Sequence, residues 1–320
     1  MTVKDKELVL NSLYASMKDV ITQPVNLQEY SERALLSGRI LSAIDAHAQD
    51  IYDDGHRKHL GASIIGEACK RKLWYTFRWV GYEKFSGRML RLFNRGHLEE
   101  LRNNAWLRGI GATVWDYDYN APKKADGSYP QITISGVNGH FGGSCDGVVQ
   151  LPPVFGVPFP MLQEFKTNGT GKGFNDVRNE GVEKAKVNHW AQQCVYGYKL
   201  GLDYSLYWNT NKNDDDIHME VVKLDHKLGA HMEAKAELII TSQEAPARLS
   251  DNPTNFLCKF CNFSKVCHQG DVPLTNCRSC AYARPIENKQ WFCDKHNGTP
   301  PDDVIKTGCG DHVPVTNNVR

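Results

Sequence analysis

Glu164 and Lys166 stand two positions apart in Met161-Leu-Gln-Glu-Phe-Lys-Thr167, a short segment that reads as a β-strand. Side chains alternate along a strand, so the carboxylate and the ammonium share one face while Phe165 points into the core. Asp146 ends the preceding strand, in Gly142-Gly-Ser-Cys-Asp-Gly147, where glycines let the backbone and a metal ion approach closely. An acid, a second acid one strand later and a lysine two residues on form a set suited to phosphodiester hydrolysis. Two carboxylates hold a hard divalent ion such as Mg2+ or Mn2+, which polarises a phosphate and acidifies a water. The lysine orients that water or offsets charge in the transition state, and the backbone carbonyl of Phe165 completes the coordination. Taken alone, the three residues also read as a solvated strand face with an ordinary ion pair.

Further candidates flank the acids. Arg95-Gly-His97-Leu-Glu-Glu100 lies on a helix ahead of them, while His189, Gln192 and Tyr196 follow at helical spacing and so share one helical face. His189 reads as structural, and Tyr196 as either core or functional.

Of the ten cysteines, seven fall between Cys258 and Cys309. In a reducing compartment such a cluster points to metal rather than disulfides. Cys258-x2-Cys261-x5-Cys267 supplies three thiolates suited to a soft metal and requires a fourth ligand. Cys277-x2-Cys280-x12-Cys293-x2-His296, followed by Cys309-x2-His312, has the paired-knuckle spacing of a structural zinc site. Cys309, His296 and His312 all qualify as its last ligand. Cys309 is favoured, because a leftover thiol between two glycines is otherwise unexplained. Cys145 and Cys194 read as core packing.

The elements that must position these residues follow from periodicity. Residues 6 to 60 look helical, with Leu8, Leu10, Leu13 and then Leu35, Leu36, Ile40, Leu41 and Ile44 at helical spacing. Helical blocks follow from Ser63 to Trp79 and from Ser86 to Arg108, and a strand starts at Ala112. Residues 131 to 151 read as two strands joined by a tight turn, and a Pro-rich loop leads to the Glu164 strand. A helix from Glu183 to Leu200, a hairpin over Tyr204–Trp208 and Ile217–Leu224, and a helix from Lys227 to Thr241 complete the pattern. Beyond Glu244 apolar periodicity gives way to cysteine, proline and asparagine, so residues 251 to 320 read as small metal-stapled modules, with a disordered tail from Val313.

In this order the motifs resemble the RecB-like branch of the PD-(D/E)XK nucleases. That family shows a Gly-His or Gly-x3-Glu helix, a Gly-x-x-Asp strand, a Glu-x-Lys strand and a Gln-x3-Tyr helix. Here Gly143-Ser-Cys-Asp146, Glu164-Phe-Lys166 and Gln192-x3-Tyr196 match, over roughly residues 60 to 270. The resemblance implies an α/β restriction-endonuclease-like core, a mixed central sheet flanked by helices, and metal-dependent cleavage of DNA in recombination, repair or viral DNA processing. It makes His97 a further metal ligand, or Glu100 if the Gly-x3-Glu variant applies, and gives Gln192 and Tyr196 the substrate phosphate to hold or Glu164 to position. Cys69 also resembles the upstream cysteine of the iron-sulfur members, in which one cysteine before the core and three after it bind a 4Fe-4S cluster. Four cysteines are equally a zinc set. The resemblance favours exonuclease action, with an endonuclease of the same fold or a non-catalytic zinc-bearing nucleic-acid-binding protein as the rival readings.

The implied organisation is a helical N-terminal region (1–85) contributing Cys69, a nuclease core (86–250), an iron-sulfur cysteine module (251–270) and a zinc module with tail (271–320). With 38 Lys plus Arg against 37 Asp plus Glu, a DNA partner must be met by a local basic surface. The candidates for one are Lys70-Arg-Lys-Leu-Trp-Tyr-Thr-Phe-Arg78 and Arg88 to Arg95, by phosphate contacts and stacking. No Gly-x4-Gly-Lys-Ser/Thr loop occurs, which leaves any helicase or recombination motor to a separate protein. No run approaches a membrane span or a secretory signal, so the expectation is a cytoplasmic protein without a membrane partner.

Overall fold

The computed structural model describes residues 30–53 and 55–315, and the chain divides into two compact units, Met1–Asp53 with Phe85–Arg91 and Asp54–Lys84 with Leu92–Arg320. The first unit contains helix α1 (Tyr30–Tyr52), on which Leu35, Ile40, Leu41 and Ile44 are exposed. The Arg91 guanidinium pairs with the Asp45 carboxylate, and Gln49 donates from Nε2 to the Phe85 carbonyl at 3.0 Å. The remaining apolar positions expected in this helical region, Leu8, Leu10 and Leu13, lie outside the described residues.

The second unit is mixed α/β. After β1 (Leu60–Gly61), α2 (Lys70–Phe77) and α3 (Gly87–Gly109), which belongs to this unit from Leu92 onward, come β2 (Thr113–Trp115), β3 (Thr133–Gly136), β4 (Phe141–Ser144), β5 (Gly147–Gln150) and β6 (Met161–Asn168). Three helices follow, α4 (Asp176–Glu180), α5 (Val182–Ala185) and α6 (Val187–Leu200), then β7 (Tyr204–Asn211), β8 (Ile217–Lys223) and α7 (His226–Thr241). The central sheet has the order β2-β5-β6-β7-β8, antiparallel except for the parallel pair β6·β7. A parallel pair needs a crossover, and α4 to α6 supply it. The first five residues of β6 are all buried rather than alternating, as a central strand covered on both faces requires.

Residues 131 to 151 depart from the expected pair of strands. They form three, because the chain changes sheets at Asp146: β3 and β4 join β1 in a small separate sheet, and β5 joins the central one. Gly147 makes the change possible. Its φ is +145°, and a Cβ there would stand 2.3 Å from the Gln163 Oε1. The expected helix from Ser63 to Trp79 contracts to α2 after a 3₁₀ turn (Ala62–Ile64), with Cys69 as its N-cap, and the expected helix from Glu183 breaks at Lys186, whose φ of −139° is not helical.

The cysteine-rich C-terminus shares the main core instead of standing apart. Phe263, Ala283, Trp291 and Val315 pack in one buried cluster with Trp74, Phe77, Phe141 and Leu162. The tail is ordered further than expected: the Ala281 N–H donates to the Val313 carbonyl at 2.7 Å and the Val315 N–H to the Ser279 carbonyl at 2.8 Å. Among the described residues no helix is long and apolar enough to cross a membrane.

Candidate active site

The sheet change at Asp146 places this carboxylate beside β6. Asp146 Oδ2 accepts a 2.7 Å hydrogen bond from the Phe165 N–H, which ties the loop between β4 and β5 to the strand that carries Glu164 and Lys166. Alternation along β6 sends Phe165 to the opposite face, edge-on to Trp208, with ring centres 5.9 Å apart. Glu164 is fully buried. The Lys166 ammonium forms an ion pair with its Oε1, and neither carboxylate oxygen has a hydrogen bond of good geometry among the described residues.

The electrostatics follow from this crowding. Burial, then the charge of Glu164, pushes the Asp146 carboxyl well above the usual range, and burial raises Glu164 despite the pull of Lys166. Burial alone would lower the Lys166 ammonium, but Glu164 and Asp146 outweigh it and hold it above its ordinary value. Glu100 adds a third negative charge that acts on all three groups. His97 lies on the same helix with its side chain 71% exposed and Nδ1 3.3 Å from Glu100 Oε1. Of the two candidates left open by the sequence, α3 therefore turns Glu100 toward the acids and His97 toward solvent.

Tyr196, on α6, is buried, and its hydroxyl donates to the Ser144 carbonyl at 2.8 Å. Gly143 makes room for it, since a Cβ there would stand 2.5 Å from the hydroxyl oxygen. Tyr196 thus holds the strand end that presents Asp146. Gln192 is buried one turn away beside the same hydroxyl. Burial, then Lys166 and Lys186, depress His189 to about 3, so its imidazole is neutral, with Nδ1 3.0 Å from the Tyr207 hydroxyl. Tyr207 escaped the sequence reading. It pairs in register with Glu164 across β6 and β7, a neighbour that spacing along the chain cannot reveal.

No family model matches this chain, and no curated protein does. Among solved structures it is similar to one described as the crystal structure of SSO0001, at 15% identity over 72% of this chain and 97% of that one, with a TM-score of 0.42. It is also similar to an alkaline exonuclease (LHK-Exo) from Laribacter hongkongensis, at 16% identity over 62% of this chain and 90% of that one, with a TM-score of 0.37. The match to LHK-Exo in complex with dAMP is 16% identical over 57% and 86%, with a TM-score of 0.39.

The two thiol groups fall in separate places. Cys69 caps α2, its sulfur accepting from the Lys72 N–H at 3.4 Å. Burial raises the Cys258 and Cys261 thiols, with Cys69 and Cys267 as smaller contributions to both. Cys277, Cys280, Cys293 and Cys309 line a cavity together with His296 and His312. Among the described residues, no three His, Cys, Asp or Glu side chains stand at metal-binding distance from a single point. The donor chemistry nonetheless fits: hard carboxylates with unsatisfied oxygens at Glu164, and soft thiols in two sets.

The expected basic surface is partly spent on the fold. Arg71 is buried, donating from Nε to the Pro246 carbonyl at 2.5 Å, and Arg78 is fully buried. Neither is available to a phosphate.

Proposed function

We propose that this chain is a divalent-metal-dependent DNA nuclease that hydrolyses phosphodiester bonds, acting as an exonuclease in DNA recombination, repair or viral DNA processing. One observation carries the reading. Asp146, the buried Glu164 and Glu100 bring three carboxyl groups together with Lys166 opposite, a cluster whose full ionisation is unfavourable unless a cation is held there. A bound Mg2+ or Mn2+ supplies Lewis acidity toward the phosphate and lowers the pKa of water. Asp146 and Glu164 would hold it, with Glu100 or His97 and the Phe165 carbonyl as further ligands.

The remaining roles belong to the chain's own groups. The Phe165 N–H and the Tyr196 hydroxyl fix the Asp146 loop from two sides. Lys166 orients the attacking water or offsets charge that grows on the phosphate in the transition state. Gln192 and Tyr196 position the acids or the substrate phosphate. Cys69, Cys258, Cys261 and Cys267 would hold a 4Fe-4S cluster, or a zinc ion, that ties the two ends of the core together. DNA is the partner, with any helicase or recombination motor supplied separately.

The test is purified protein with labelled linear, circular, single-stranded and duplex DNA, in Mg2+, Mn2+ or chelator. Mononucleotide release from linear DNA that chelator abolishes is the expected outcome. Linearisation of closed circles would make the enzyme an endonuclease, and DNA binding without any cleavage would leave the non-catalytic reading.

A further inference from the structure

Arg78 and Arg278 are the two largest charged side chains with essentially no exposure, and neither pairs with a carboxylate among the described residues. A guanidinium does not give up its proton in a protein, so both enter the interior as cations. Aromatic faces offset part of that penalty. Arg278 lies 4.6 Å from the Phe77 ring centre, 4.2 Å from Trp79 and 4.8 Å from Trp291, while Arg78 lies 5.2 Å from Trp291 and 5.3 Å from Trp74. Backbone carbonyls take up some of the donors: Arg57 and Lys58 accept from Arg278 Nη1 at 3.3 and 3.2 Å. The Nε and Nη2 of Arg278 and the Nε of Arg78 have no partner among the described residues. Rings and carbonyls carry only partial charge, and a balancing anion is still missing.

The Cys280 thiol acts on the charge of Arg78, and Arg278 follows Cys277 directly in the chain. Arg278 sits inside the Cys277-x2-Cys280 turn, where the Cys280 N–H donates to the Cys277 carbonyl at 3.0 Å. Arg78 braces the same turn from the other side, donating from Nη1 to the Arg278 carbonyl at 3.2 Å and to the Ala283 carbonyl at 2.7 Å. Cys277 and Cys280 line a cavity of about 340 Å³ with Cys293 and Cys309. The His296 Nε2 lies 3.8 Å from the Cys309 sulfur, and a 2.8 Å bond from the Cys293 N–H to the Gly298 carbonyl closes a second tight turn. Cys309 is exposed and lines the same cavity as the other three. His312 is engaged elsewhere, with Nε2 3.1 Å from the Ser279 hydroxyl.

We infer that Cys277, Cys280, Cys293 and Cys309 form a zinc site whose thiolates are the counter-charge of Arg78 and Arg278. Four thiolates around one Zn2+ leave the centre doubly negative, and the two guanidiniums match it. His296 stands beside Cys309 as a hydrogen-bond donor to its sulfur. Metal loading and folding of the C-terminal region are then linked, because loss of zinc protonates the thiols and strands two buried cations. This reading is independent of the chemistry at Asp146 and Glu164, and its test uses no DNA.

The experiment is metal analysis and thermal unfolding of the full-length protein. Wild type should carry zinc that Cys277→Ser or Cys293→Ser removes and Cys69→Ser leaves in place. Release of zinc on thiol modification of the intact wild-type chain gives the same information without a variant. Arg78→Met and Arg278→Met should each weaken zinc retention against a competing chelator by about 10- to 100-fold, the range for groups that support metal ligands. Each should also lower the melting temperature more in zinc-loaded than in zinc-stripped protein. Absence of zinc, or zinc that survives Cys277→Ser, overturns the site. Equal losses of stability with and without zinc overturn the charge match.

Discussion

At the residue scale, Glu164 is the group whose surroundings most demand an explanation, since a fully buried carboxylate normally has several hydrogen bonds and this one has an ion pair alone. Asp146→Ala, Glu164→Ala or Lys166→Ala should each reduce cleavage on the order of 10²- to 10⁴-fold while DNA binding in a gel-shift assay survives. Wild-type turnover in any of the three removes that residue from the reaction. Tyr196→Phe should cost about 1 kcal/mol of stability and reduce turnover less, because it deletes the hydrogen bond to the Ser144 carbonyl and leaves the carboxylates in place.

The same crowding fixes a pH dependence. The folded pKa of Asp146 is raised above its unfolded value, so the unfolded state ionises first as pH rises, and the metal-free protein loses stability toward alkaline pH. His189 works the other way. Its folded pKa is depressed below 6.5, so the protein loses stability once pH falls beneath 6.5 and the unfolded imidazole takes up a proton. Metal-free protein should therefore become more stable as pH is lowered toward 6.5, and Asp146→Asn should flatten that slope in chemical denaturation curves. A wild-type slope unchanged in Asp146→Asn would show that the acids do not carry it.

At the scale of elements, α3 decides which of two neighbouring residues serves the acids. Helical geometry separates His97 and Glu100 by less than a turn; Glu100 acts on Asp146, Glu164 and Lys166, and the His97 side chain is 71% exposed. Glu100→Gln should lower Mg2+ affinity in a calorimetric titration by on the order of tenfold, whereas His97→Ala should leave it unchanged. The reverse pattern would return the role to His97. Spacing along the chain showed that both residues belong to one helix, but not how that helix is rotated, which depends on what packs against it. The Glu164–Lys166 face was legible because strand alternation is local. The break at Asp146 was not, because it depends on Gly147 meeting Gln163 and Trp115 across two strands. Tyr207 was hidden for a similar reason: it reaches Glu164 only through the register of β6 with β7. The basic run of α2 misled, since Arg71 and Arg78 read as surface charges and instead brace loops from inside the core.

At the scale of the molecule, the cysteine-rich end reads from sequence as an appendage because its apolar periodicity is lost, yet it packs on α2 and the small sheet through Phe263, Ala283, Trp291 and Val315. Few apolar residues suffice there because they share a core already built by the rest of the chain. Cys69 stands 189 positions ahead of Cys258, and it adds to the effect of burial in raising the Cys258 and Cys261 thiols. A metal centre bound by Cys69, Cys258, Cys261 and Cys267 would close a loop of that length, which restricts the unfolded chain by about 5 kcal/mol in the entropic account developed for disulfides. Cys69→Ser should then lower the melting temperature by roughly 10 °C or more and reduce nuclease activity with it. Anaerobically purified wild type should be brown, with about four irons per chain that Cys69→Ser releases. Zinc in place of iron would keep the clamp and replace the cluster, whereas a Cys69→Ser protein with unchanged melting and unchanged metal would leave Cys69 as no more than the cap of α2.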